Sequence, residues 1–222
     1  RTEGAFGLFP IPLACFCGCV PTPAEITRHH HDQPPAGADP WIPPHRQLPY
    51  EIKVVEPDPG WPGDFARVAA LLRGALGAGA LEVLHVGSTS VPGLPAKPVI
   101  DVDLVVADPA DEAAYVPALE AAGFVHVIRE PWWHEHRLLK LADPVSFVHV
   151  FGPDCPEVVR HTMFRAWLIE HPADLARYAE AKRAAAVVTN AEGGHGMDYN
   201  RHKAAVVLEI YDRMFRAAGL ID

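Results

Sequence analysis

Two aspartates, Asp101 and Asp103, interrupt the otherwise apolar run from Val99 to Val106. Side chains alternate across a strand with period two, so both carboxylates project from one face of it. Burying two adjacent like charges in such a strand is costly unless a cation compensates them. A conflict of this kind between local pattern and chemistry marks a functional site. The flanking Val and Ile residues place the strand inside a sheet. The plainer alternative is a half-exposed strand whose aspartates face solvent.

The stretch before it sharpens the reading. An apolar run, Leu81 to Val86, stops at Gly87-Ser88, and a turn-rich connection carrying Pro92, Gly93, Pro95, Lys97 and Pro98 leads to the aspartates. Glycine lets the backbone approach a phosphate closely, and serine adds a hydroxyl donor. Two carboxylates on one strand face suit a hard divalent cation such as magnesium, which in turn holds triphosphate oxygens. The feature points to a metal–nucleotide site without naming a reaction.

Around this centre the periodicities give an order of elements. Glu51 to Glu56 reads as a short strand, and Phe65 to Leu76 as a helix with apolar residues at 65, 68, 69, 72 and 76. Strands follow over Leu81–Gly87 and Val99–Val106, then a helix over Asp108–Ala122 and a strand over Phe124–Arg129. The runs His136–Leu141 and Val145–Phe151 form a hairpin around Ala142-Asp143-Pro144. Helical patterns fill the rest: one from Pro156 to near His171, one over Ala173–Asn190 and one over Met197–Ala218. This is an α/β (α+β) chain with a mixed sheet and a helical C-terminal part.

Residues 1–49 differ from the rest, with ten of the 23 prolines among them. They are expected to form a Pro-rich, largely disordered segment ahead of a domain over residues 50–218. The first residue is Arg1, as in a fragment or a processed product. Cys15, Cys17 and Cys19 lack the spacing of a structural zinc clip, and the early apolar run is broken by prolines as no signal peptide should be. Cys155 alone falls in the folded region, which favours a reducing, cytoplasmic compartment. A net charge of −9 argues against general binding to nucleic acid or anionic membrane, though not against a small phosphorylated ligand. No apolar run reaches the length of about 18 residues that a membrane helix requires.

His85 to Asp103, HVGSTSVPGLPAKPVIDVD, resembles the signature of the GrpB family, a bacterial group with a nucleotidyltransferase-like fold. The resemblance extends from PDPGWPGDF through His136-Arg137 and Phe147 to Val150, into the helical tail at Phe164-Arg165, Leu175 to Lys182, and Tyr199 with Lys203. It implies that Gly87 and Ser88 cradle nucleotide phosphates and that Asp101 and Asp103 hold magnesium. The strand where active nucleotidyltransferases carry a third carboxylate offers His149, a candidate base for an acceptor hydroxyl. Family members also occur fused to dephospho-coenzyme A kinases, which suggests a link to coenzyme A biosynthesis. The chain itself has no GxxxxGK[ST] phosphate loop and is not expected to be a kinase.

Other side chains join this site as candidates. Lys97, in the turn before the aspartates, is placed to meet phosphate. Arg137 could bind a phosphate or pair with an acid. Tyr199 and Lys203, four apart on the last helix, could supply a stacking ring and a phosphate countercharge, or be helix packing beside a surface lysine. His134, His136 and His149 would gather on one face if the hairpin turn has two residues, which makes zinc conceivable. Three readings result: magnesium-dependent transfer of a nucleoside monophosphate from a nucleoside triphosphate to an acceptor, a catalytically degenerate nucleotide-binding or partner module, and a metal hydrolase on the histidines.

Overall fold

The computed structural model describes residues 20–28 and 35–222. The three early cysteines and His29–His31 lie outside the described residues. Five strands form one mixed sheet: β1 (Glu82–Val86), β2 (Ile100–Val105), β3 (Val125–Glu130), β4 (His136–Ala142) and β5 (Val145–Phe151), in the order β1-β2-β5-β4-β3. Only β2 and β5 run parallel; the other neighbours are antiparallel.

Alternation divides the sheet into two chemically distinct faces. Ile100, Val102 and Leu104 of β2, with Leu139, Leu141, Val148 and Val150, pack on α2 (Trp61–Leu76) and α3 (Val116–Ala121) in the largest core cluster. The opposite face carries Asp101, Asp103, Phe147, His149 and His136. Three C-terminal helices, α4 (Pro156–Glu170), α5 (Pro172–Ala191) and α6 (Gly196–Ala217), follow the sheet. They form further clusters, one of which joins Val91 and Leu94 of the β1–β2 connection to Leu168, Tyr178 and Ile210. The aspartate strand is therefore central, apolar behind and polar in front.

Local chemistry sets the boundaries. α2 opens with Pro62 in its first turn and closes at Gly77, whose φ of 54° lets its N–H reach Arg73 O. α6 begins in a reciprocal cap between His195 and Asp198.

Three sequence expectations are corrected. Asp108 to Ala122 is no continuous helix: a 3₁₀ turn over Glu112–Ala114 precedes the short α3, because Pro117 cannot donate into a continuing helix and sits in the first turn of a new one. Glu51 to Glu56 is extended but makes no strand of the sheet: Val55 forms a single bridge with Ala96, Ile52 N–H donates to Asn190 Oδ1 at 2.7 Å, and Ile52 and Val54 pack toward Ala185, Ala186 and Tyr199. The described part of residues 1–49 is docked rather than a free linker. Residues 40–42 pair with β3, Ile42 N–H donating to Val127 O, and α1 (Pro23–Thr27) buries Ile26 beside Met214 and Phe215.

Candidate active site

Gly87 follows β1 with φ +66°, a conformation that favours glycine. A Cβ there would lie 2.3 Å from Asp101 Oδ2 and 2.8 Å from Asp101 Cβ. Glycine is thus required by the aspartate itself. The following turn is fastened by Ser90 Oγ donating to Gly87 O at 2.6 Å and Thr89 Oγ1 donating to Val99 O at 3.1 Å.

Asp103 is fully buried, and its countercharge comes from a residue that sequence reasoning missed. His161, on the second turn of α4, donates from Nδ1 to Asp103 Oδ2 at 2.8 Å. Burial alone would lower the His161 pKa, but the Asp103 carboxylate outweighs it and holds the imidazole up to about 9. Asp103 and His161 therefore form a charged pair at neutral pH. Asp103 Oδ1 is buried without a hydrogen-bond partner.

His149 stands opposite Asp103 in the parallel register. Its Nδ1 lies 3.0 Å from His136 Nε2, and His136 Nδ1 lies 2.7 Å from Glu130 Oε2. With Glu130 ionised, His136 donates to it and accepts from His149 Nδ1–H, which leaves His149 Nε2 a lone pair. Burial, then its histidine neighbour, takes His149 down to about 3. That is a neutral imidazole, far below the pKa of an effective general base at neutral pH. The two-residue hairpin turn does gather His136 with His149, but among the described residues no group of three His, Cys, Asp or Glu side chains is arranged to hold a metal ion.

Asp101 is half-buried at the end of the same face. Burial raises it to about 6 against the pull of Lys97, His161 and Lys182. Lys182, a second residue missed from sequence, is 2% exposed, and its Nζ has no hydrogen-bond partner. Burial, then Lys203, lowers its pKa to about 6. Its Nζ sits 5.3 Å from the centre of the Tyr178 ring. Lys203 lies over both Tyr178 and Tyr199, at 5.6 and 5.4 Å, and Lys97 over Tyr199 at 5.2 Å.

These placements settle where each sequence candidate lies. Gly87, Ser88, Asp101, Asp103, His149, Lys97, Tyr199 and Lys203 belong to one side of the sheet or its helical cover. Arg137 does not. It pairs in register with Val150, which faces α2 and α3, and its guanidinium is held by Glu112 and Glu135. The sheet stands between Arg137 and the aspartates. Tyr199 is only 2% exposed and already carries two ammonium groups, so it has no free ring face for a base.

The donor set does not build a resident magnesium site. One Asp103 oxygen is committed to His161, the third position offers an imidazole instead of a hard oxygen, and Asp101 answers to protein cations. A cleft of about 170 Å³ opens beside the aspartates. Gly87, Ser88, His161, Arg165 and Lys203 supply its polar wall, and Phe164, Tyr178 and Tyr211 its aromatic one.

A family model described as GrpB protein matches residues 51–213. The chain belongs to the GrpB family. Among relatives of this GrpB chain, the UPF0157 protein BH1888 of Halalkalibacterium halodurans is 46% identical over 162 residues, covering 73% of the chain and 82% of the relative. The UPF0157 protein PA4798 of Pseudomonas aeruginosa is 36% identical, covering 75% and 69%. A dephospho-CoA kinase of Mycolicibacterium paratuberculosis is 32% identical over 161 residues, which is 60% of this chain but 39% of that protein. The crystal structure of conserved protein GrpB from Enterococcus faecalis superimposes with a TM-score of 0.64 at 27% identity, covering 74% of this chain and 98% of that one. Among the described residues no helix is long and apolar enough to cross a membrane.

Proposed function

We propose that this GrpB chain is a nucleotide-binding module with a nucleotidyltransferase-like fold, acting on a partner or pathway rather than as a metal-loaded transferase. The observation that carries the reading is the cleft over the aspartate strand, where cationic and aromatic walls converge on Gly87-Ser88. Phosphate groups suit Lys203, Arg165 and the Ser88 hydroxyl, and a base or sugar suits Phe164 and Tyr211. At about 170 Å³ the cleft is smaller than the roughly 300 Å³ at which ligand pockets usually begin, so it encloses part of a nucleotide and leaves the rest outside. The neutral His149 and the internally compensated aspartates favour binding over transfer. Kinship with dephospho-CoA kinases supports a place beside coenzyme A biosynthesis, and a buried thiol at Cys155 suits a cytoplasmic setting.

The unpartnered Asp103 Oδ1 favours a second reading, magnesium-dependent transfer of a nucleoside monophosphate from a nucleoside triphosphate to an acceptor. In that reading the metal arrives with the nucleotide. Thermal-shift measurements with the four nucleoside triphosphates, dephospho-coenzyme A and coenzyme A, in magnesium and in EDTA, followed by pyrophosphate detection, separate the two. A melting shift without pyrophosphate is expected. Pyrophosphate release would establish transfer, and no shift with any nucleotide would remove both readings.

A further inference from the structure

Behind the cleft, Lys97, Tyr199, Lys203, Tyr178 and Lys182 form a continuous ladder in which each lysine Nζ rests over a tyrosine ring at 5.2 to 5.6 Å. The ladder draws on three parts of the chain: the turn before β2, α5 and α6. Its polar bonds are few. Lys97 Nζ donates to Tyr50 Oη at 3.5 Å and Lys203 Nζ to Tyr178 Oη at 3.4 Å, both long and neither to a carboxylate. Lys182 Nζ and Tyr199 Oη are buried with no hydrogen-bond partner. A native fold rarely leaves such groups unmatched without a ligand, ion or water to meet them.

The local charge is also unbalanced. Asp103 is neutralised by His161 at 2.8 Å. Asp101 is then the one carboxylate whose field is felt by Lys97 and Lys182, against three amines. Aromatic rings partly stabilise the Lys97 and Lys203 cations but do not replace an anion. The excess is positive and faces the carboxylate strand that, by sequence, was to be bridged to phosphate by magnesium.

We infer that the lysine–tyrosine ladder is a polyphosphate site that binds the phosphate chain of its ligand directly, without a divalent metal. Lys203, half-buried, lines the cleft and contacts the phosphates, and Lys97, also half-buried, joins it from the other end of the Tyr199 ring. Lys182 sits behind Tyr178 and is a positioning residue, its side chain backing the ring on which Lys203 rests. The inference rests on the nucleotide reading only in placing the ligand in this cleft, and it names the part of the ligand that is recognised.

The test is isothermal titration of the whole chain with inorganic tripolyphosphate and, separately, with ATP, each in EDTA and in magnesium. Tripolyphosphate is expected to bind in EDTA at least as tightly as in magnesium. Lys203→Met is expected to weaken it by tenfold or more, and Lys97→Met and Lys182→Met by at least threefold, with melting curves reporting that each variant folds. The logarithm of the wild-type association constant is expected to fall linearly with the logarithm of salt concentration, a readout needing no variant. Binding that requires magnesium, or a salt-independent affinity, overturns the inference. So does ATP binding left unchanged by all three substitutions, although the nucleotide reading then stands. Lysine-dependent tripolyphosphate binding with ATP no tighter keeps the ladder and removes the nucleotide.

Discussion

His161 Nδ1 lies 2.8 Å from Asp103 Oδ2, and this contact answers the charge problem posed by the aspartate strand. Asp103 has no exposed surface, whereas His161 keeps 28% of its side chain exposed. Removing the imidazole leaves a buried carboxylate with an uncompensated charge, a change that costs about 3 kcal/mol in comparable pairs. His161→Ala is therefore expected to lower the urea midpoint strongly at pH 7, and Asp103→Asn/His161→Ala to recover part of the loss. A double variant no more stable than His161→Ala alone would show that the pair contributes packing and not charge.

Gly87 and Asp101 give a second prediction. A methyl group at position 87 meets the Asp101 carboxylate at 2.3 Å and also requires a residue other than glycine at φ +66°. Gly87→Ala is expected to destabilise by about 2–3 kcal/mol, of which backbone strain accounts for about 1. Asp101→Gly removes the colliding atoms, so Gly87→Ala/Asp101→Gly is expected to lose less than the two single changes added together. A double-mutant cycle from denaturant melts measures that coupling. Simple additivity would mean the strand end moves freely enough to avoid the clash.

Much of the fold was legible because strands and helices write their periods locally. The alternation of Val99 to Val106 placed both aspartates on one face, and the two-residue hairpin turn paired His136 with His149. Gly87 was legible as a special position, and the structure gives it a further reason: it makes room for Asp101. His161 and Lys182 were not legible. They lie 58 and 81 positions beyond Asp103 and Asp101 on helices, and no local pattern tells which helical face meets which strand. The face of Arg137 could have been found by parity, since Arg137, Leu139 and Leu141 alternate with His136, Leu138 and Lys140.

On the opposite face, Glu112 gives a pH prediction. Its pKa is lowered to about 2, first by the hydrogen bond from Arg129, then against burial by Arg137. The unfolded chain titrates this group near 4.5, so the folded state binds fewer protons between the two values. The stabilisation is complete above pH of about 4.5 and is lost as pH falls toward 2. Wild type is expected to lose urea stability steeply as pH falls from about 4.5 toward about 2. Glu112→Gln is expected to be less stable at pH 7 by about 2 kcal/mol, because buried Arg137 loses a partner, and to show a flatter acid limb. Parallel curves for the two proteins would place the acid sensitivity elsewhere.

Tyr199 separates the ring from its hydroxyl in the lysine ladder. The ring carries Lys97 and Lys203, while the hydroxyl is buried without a partner. A buried hydroxyl left unsatisfied costs about 1–3 kcal/mol, so Tyr199→Phe removes a cost and retains the aromatic face. The phenylalanine variant is expected to melt at or above the wild-type temperature and to bind tripolyphosphate with little change. Tyr199→Leu is expected to lose both stability and binding, because it withdraws the ring from two ammonium groups and leaves a cavity between α5 and α6. If Tyr199→Phe instead weakens binding tenfold, the hydroxyl itself reaches the ligand, and the tyrosine joins the lysines as a contact residue rather than the surface on which they rest.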